Sequence, residues 1–204
     1  MHKRHLTASA LLASALVLAA CGNGGSDTAG STGSTGNGGS SAAAETAQGN
    51  DADIAFLTGM TPHHEQAVEM SEMVLAADPP ADVAAIATQI KDAQSPEIKQ
   101  MKTMLADLGE EADGMAHGGG HGGGMAGHGG MMSDSDMDAL MDATGADAAR
   151  LYLEGMVKHH QGAIEASDTE IADGQYEPAV ELAETIKVAQ AAEITEMRAL
   201  LDTL

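Results

Sequence analysis

The sequence predicts an all-α protein, an antiparallel four-helix bundle assembled from two copies of one helical hairpin. Three observations carry that expectation. Residues 53–108 and 149–204 form a gapless internal repeat at a constant offset of 96, which pairs His63 with His159 and His64 with His160. Within each copy the apolar residues recur in alternating steps of four and three, the spacing of one stripe along a helix. No stretch carries the alternating pattern of a half-buried strand.

The chain begins "MHKRHLTASALLASALVLAAC". Lys3 and Arg4 make a positive start, and the apolar run from Leu11 to Ala20 is too short to span a bilayer as a mature helix. Residues 1–20 therefore read as a secretory leader. The ending "LAAC" looks like a lipobox cut before Cys21, the only cysteine, whose thiol would carry a lipid. Acyl chains contribute roughly 0.8 kcal/mol per buried CH₂, so an acylated Cys21 would anchor the protein to a membrane on the extracytoplasmic side. With that thiol used, none is left for a disulfide, a thiolate metal site or a nucleophile. Residues 21–50 are rich in Gly, Ser and Thr and almost free of large apolar side chains, the composition of a flexible tether. Residues 51–204 fit one domain.

In the first copy, Phe56, Met60, His63, Ala67, Met70 and Val74 define the stripe of the first helix. "ADPPAD" stops it, and Pro80 suits the first turn of the next helix. That second helix is expected from about Asp82 to Leu108, with Ile86, Ile90, Ala93, Glu97, Met101 and Leu105 near one face. Pro96 falls inside it and should kink it or remove a hydrogen bond. Residues 114–132, within "GMAHGGGHGGGMAGHGGMM", interleave histidine and methionine on a glycine backbone and have little apolar surface to bury. A short helix at about Asp136 to Ala143 precedes the second copy, where Gly174 and Pro178 mark the turn. Two hairpins with one apolar stripe each bury those stripes against one another.

The formal charge is −22, and loss of the leader removes Lys3 and Arg4 but no acid. Such a chain is a poor partner for nucleic acid or anionic lipid and a plausible handler of cations. On a helix, Met60, His63, His64 and Ala67 occupy positions i, i+3, i+4 and i+7, so the thioether and both imidazoles share one side. The second copy repeats this with Met156, His159 and His160. Imidazole with thioether and no thiolate is a ligand set for copper, Cu(I) above all, rather than magnesium or calcium. The candidate ligands are Met60, His63, His64, Met70, Glu97 and Met101, then Met156, His159, His160, Glu193 and Met197. His117, His121, Met125 and His128 join them from the connecting segment, since His-rich tracts read as metal binders. The plain alternatives are methionine as core filler, histidine as a hydrogen-bonded core residue, and the segment as a linker.

The chain resembles the bacterial domain-of-unknown-function family 305, whose pattern joins an aromatic-Leu-x-x-Met-x-x-His-His helix to a Gln-x-x-Glu-Ile-x-x-Met helix. The matching residues are Phe56, Leu57, Met60, His63 and His64 with Gln94, Glu97, Ile98 and Met101. In the second copy they are Tyr152, Leu153, Met156, His159 and His160 with Gln190, Glu193, Ile194 and Met197. The resemblance implies a ferritin-like four-helix bundle in the cell envelope, and copper binding for some members. This chain departs from the pattern at Ala166, where a methionine is common, and at Pro96; sites of unequal affinity are expected in the two copies.

The function expected is an envelope lipoprotein that binds Cu(I) for sequestration or delivery, with a metal ion and a membrane as partners and no nucleotide cofactor. An alternative is a haem or di-iron bundle. Di-iron bundles use Glu-x-x-His pairs, and no glutamate stands three residues before any histidine here. A metal-free interaction module is the third reading. No nucleophile–base pair, phosphate loop or carboxylate dyad is evident, so no enzymatic activity is expected.

Overall fold

The computed structural model describes residues 48–110 and 129–204. Five helices run in the order α1 Asp51–Ala76, α2 Ala81–Asp107, α3 Asp134–Asp142, α4 Gly145–Asp173 and α5 Glu177–Leu201. No strand occurs among the described residues.

Local chemistry sets the ends of these helices. Asn50 caps α1 by accepting from the amides of Ala52 and Asp53, and the Asp53 carboxylate accepts from the Asn50 amide in return. This reciprocal box satisfies amides that the first turn leaves without partners. The first hairpin turns at Asp78, which takes a left-handed φ of 54°, followed by Pro79 and Pro80. Ser133 caps α3 through the Asp136 amide, so that helix starts at Asp134, two residues earlier than the sequence predicts, and ends at Asp142.

Paired contacts give the order of packing. Glu65–Lys102, His64–Glu97 and Glu72–Lys91 match α1 to α2 in opposite directions. His160–Glu193 and Asp168–Lys187 do the same for α4 and α5. Asn50 to the Asp173 carbonyl, His63 to His159 and Ser71 to Tyr152 set α1 against α4, again in opposite directions. Two apolar clusters form the core. One holds Phe56, Met60, Met101, Leu105, Leu182 and Ile186; the other holds Met70, Val74, Ile90, Tyr152, Met156 and Met197.

The structure differs from the sequence reading at two places and, at Pro96, takes the lost hydrogen bond without breaking the helix. On α2, Ala93 is exposed and Gln94 is buried, because the stripe steps by four from Ile90 to Gln94 and then by three to Glu97. That turn of the helix carries a polar side chain into the core. Helix α2 runs through Pro96 without interruption, and α1 does the same through Pro62. Pro96 lies on the exposed face, where water can take the carbonyl left by its missing N–H. Finally, Gly129–Met132, expected to lie outside the packed structure, is packed against α4.

Candidate metal centre

The fold brings both histidine pairs into one layer between the two apolar clusters. Antiparallel α1 and α4 cross with His63 opposite His159, so the two repeat-related rings lie with centroids 3.6 Å apart and planes inclined by 35°. His160 lies beside His159, with ring centroids 6.3 Å apart. All four histidines are fully buried. The sequence reads as one site per hairpin; the structure shows four imidazoles gathered around the approximate twofold axis that relates the hairpins.

Glutamates from the second helix of each hairpin hold the outer rings. His64 Nε2–H donates to Glu97 Oε2 at 2.9 Å, and His160 Nε2–H donates to Glu193 Oε2 at 2.8 Å. A carboxylate can only accept, so these bonds place the proton on Nε2 and the lone pair on Nδ1. Neither Nδ1 has a hydrogen-bond partner, and neither ring nitrogen of His159 has one. His63 Nε2–H reaches the Gly129 carbonyl at 3.2 Å. Burial, followed by the neighbouring imidazoles, holds His159 well below the usual histidine range. Burial also lowers His160, against the opposing pull of Glu193. Leaving a buried polar atom unpartnered costs about 1–3 kcal/mol. This layer carries several such atoms, and a ring nitrogen that keeps its lone pair is suited to a cation.

Of the other residues singled out in the sequence, Met60 and Met101 lie together in one apolar cluster. Met70, Met156 and Met197 lie in the other. Glu97 and Glu193 accept hydrogen bonds from the imidazole N–H groups of His64 and His160. His117, His121, Met125, His128 and Cys21 lie outside the described residues. Among the described residues, no group of three His, Cys, Asp or Glu side chains is arranged to hold a metal ion. A site here would need thioether sulfur or a shift of the rings.

Several further residues of the layer and its cover were not among the candidate ligands, although Gln94 and Gln190 stand in the repeated motif. Gln94 and Gln190, repeat mates on α2 and α5, are buried; both side-chain polar atoms of Gln94 and the oxygen of Gln190 lack partners. Gln66 clamps the backbone of Met132 with two hydrogen bonds, Nε2–H to the carbonyl at 3.0 Å and amide to Oε1 at 2.9 Å. At the end of the bundle, Asp53 accepts from the amides of Asn50, Gln175 and Tyr176 and faces the buried Glu170 carboxyl. Only the repeat offset could have exposed Gln66, whose mate is Gly162.

Comparison with known proteins places these features in a family. The family described as "Domain of unknown function (DUF305)" matches residues 53–201. Comparison with curated proteins finds no match. Among solved structures, a DUF305 protein of Streptomyces coelicolor, described as a candidate secreted protein, is 27% identical with a TM-score of 0.66. The match covers 74% of this chain and 91% of that one. A DUF305 fragment from Deinococcus radiodurans is 27% identical with a TM-score of 0.64, over 76% of this chain and 98% of the fragment. CopM in a Cu(II)-bound form is 29% identical with a TM-score of 0.61, over 74% of this chain and 96% of that one. CopM has also been solved in Cu(I)-bound and silver-bound forms, each 26% identical to this chain. With its family match spanning both hairpins and the histidine layer between them, the chain belongs to the DUF305 family.

Proposed function

We propose that the protein is an extracytoplasmic lipoprotein, anchored through Cys21, that binds copper as Cu(I) for sequestration or delivery and does not catalyse a reaction. The observation that carries this reading is the buried layer of imidazoles with unpartnered ring nitrogens on His64, His159 and His160. A monovalent soft ion would gain imidazole nitrogen from this layer and thioether from Met60 or Met156, each one turn away on the same helix. Such an ion accepts low coordination numbers, so it does not need a preformed cage of three hard ligands. The likeness to CopM, solved with copper and with silver, supports the same ion class. In this reading Glu97 and Glu193 fix the ring tautomers, and His117, His121, Met125 and His128 supply a second class of sites.

The test is anaerobic competition for Cu(I) against chelators of graded strength, with Ag(I) as a redox-inert substitute. Wild-type protein should withdraw both ions, and His159→Leu should weaken the bundle class about 10- to 100-fold, the usual range for disturbing a metal site. The same substitution should leave the apo fold intact, because it replaces unpartnered polar atoms with an apolar side chain. Failure of wild type to withdraw copper from even a weak chelator would remove the proposal.

A further inference from the structure

The four imidazoles have no exposed surface, so an ion in bulk water has no open path to them. Among the described residues, the only non-helical chain in hydrogen-bond contact with this layer is Gly129–Met132, through the Gly129 carbonyl on His63 Nε2. This strap lies against α4 at unusually close range. A Cβ on Gly162 would sit 1.5 Å from the Gly129 carbonyl oxygen, and one on Gly155 would sit 2.7 Å from the Met132 sulfur. From the facing helix, Gln66 grips Met132 by both its amide and its carbonyl. Gln66 and Gly162 are repeat mates at the offset of 96. At one pair of equivalent positions, then, one hairpin grips the strap with a long amide and the other makes room for it by having no side chain. Beside the strap opens a cavity of about 180 Å³ lined by Gly130, Met131, Met132, Leu151, Glu154 and Lys158, among others.

We propose that Gly129–Met132 is a gate over the histidine layer, latched by Gln66 and seated on Gly162, and that a soft metal cation reaches His63 and His159 when the strap lifts. This rests on the metal-binding reading given above, but the gate itself can be tested without metal. The competing route is the seam between α2 and α5, where Glu97 is partly exposed and Gln89 donates to Glu193. Opening that seam means parting helices that bury Ile86, Ile90, Ile186 and Ile194. Of the described contacts, lifting the strap breaks the three hydrogen bonds to His63 and Gln66, an easier fluctuation.

The experiment measures carbethoxylation of His63 and His159 by diethyl pyrocarbonate, mapped by peptide mass, in wild type, Gln66→Leu, Gly162→Ala and Gln89→Leu. Amide exchange of Met132 is followed in parallel to report strap release. Gly162→Ala places a methyl where the Gly129 carbonyl now sits while improving the helical propensity of α4, so it lifts the strap without weakening the helix. Expected is slow labelling in wild type, with labelling and Met132 exchange both rising about tenfold in the two strap variants. Gln89→Leu should stay near wild type. Stopped-flow Ag(I) association should then rise in the same order. Met132 exchange that accelerates without faster labelling, exchange that stays slow in both variants, or labelling that responds only to Gln89→Leu would each overturn the gate. Labelling that responds to the strap in a protein that takes up no silver would uphold the gate and remove the metal reading instead.

Discussion

A buried carboxyl beside a carboxylate cannot ionise freely, and Glu170 shows the consequence. Burial, then the hydrogen bond and charge of Asp53, push its pKa up to about 8. Burial alone would raise Asp53 as well, but hydrogen bonds from Asn50, Tyr176, Glu170 and Gln175 together hold it below its ordinary value. With its pKa raised to about 8, Glu170 is the protonated carboxyl at neutral pH and Asp53 the ionised one. The sign for Glu170 follows from linkage: an acid whose pKa is raised on folding stabilises fully below its unfolded value near 4.5, and that contribution is lost as pH rises through about 8. Asp53 works in the opposite sense, its contribution lost as pH falls through its lowered folded value. Glu170→Gln keeps the neutral, hydrogen-bonding form. It should match wild type near pH 5 and exceed it above pH 8 by on the order of 1–3 kcal/mol in denaturant unfolding. Equal pH slopes in the two proteins would contradict a protonated Glu170 at neutral pH. Nothing in the sequence pairs residue 53 with residue 170, so this contact was not legible there, whereas each His-His pair was.

The helices were legible as elements because their signals are local. Apolar spacing, the Asp78–Pro80 stop and the Gly174–Pro178 turn each act over a few residues. The turn of α2 around Gln94 was not, because only packing decides whether a helix leans Ala93 or Gln94 inward. The connecting segment divides on the same principle. Its composition, glycine with a few histidines and methionines, offers little apolar area and reads as non-structural, yet Gly129–Met132 gains its place from Gln66 and α4. Deletion of residues 114–128 with a short neutral linker should therefore leave helicity and melting within about 1 kcal/mol of wild type. It should also lower the number of Cu(I) ions bound at saturation. Extending the deletion through Met132 should cost more, because it removes the Gln66 hydrogen bonds. Equal copper capacity before and after the shorter deletion would leave the segment without a binding role.

At the scale of the whole molecule, an acidic bundle follows a Gly/Ser/Thr-rich stretch and a candidate lipid anchor at Cys21, and no described helix is long and apolar enough to cross a membrane. If Cys21 carries the lipid, Cys21→Ala should move the protein from the detergent-extracted membrane fraction to the soluble fraction of the envelope, since a chain with this charge has no other affinity for anionic lipid. Unchanged retention in membranes would point to a different anchor. The sequence showed that the histidines come in two matched pairs; it could not show that they meet, because the meeting is a property of how α1 crosses α4. That crossing has a consequence for assembly. Neither hairpin contains the layer: His63 and His64 come from one and His159 and His160 from the other. A chain with a single hairpin would build such a layer only by pairing with a second copy, at a rate and extent set by its abundance. Joining the two in one polypeptide makes the encounter intramolecular, so that it no longer depends on the protein's concentration. The layer is then complete at any expression level, even in a cell that makes only a few copies of the protein.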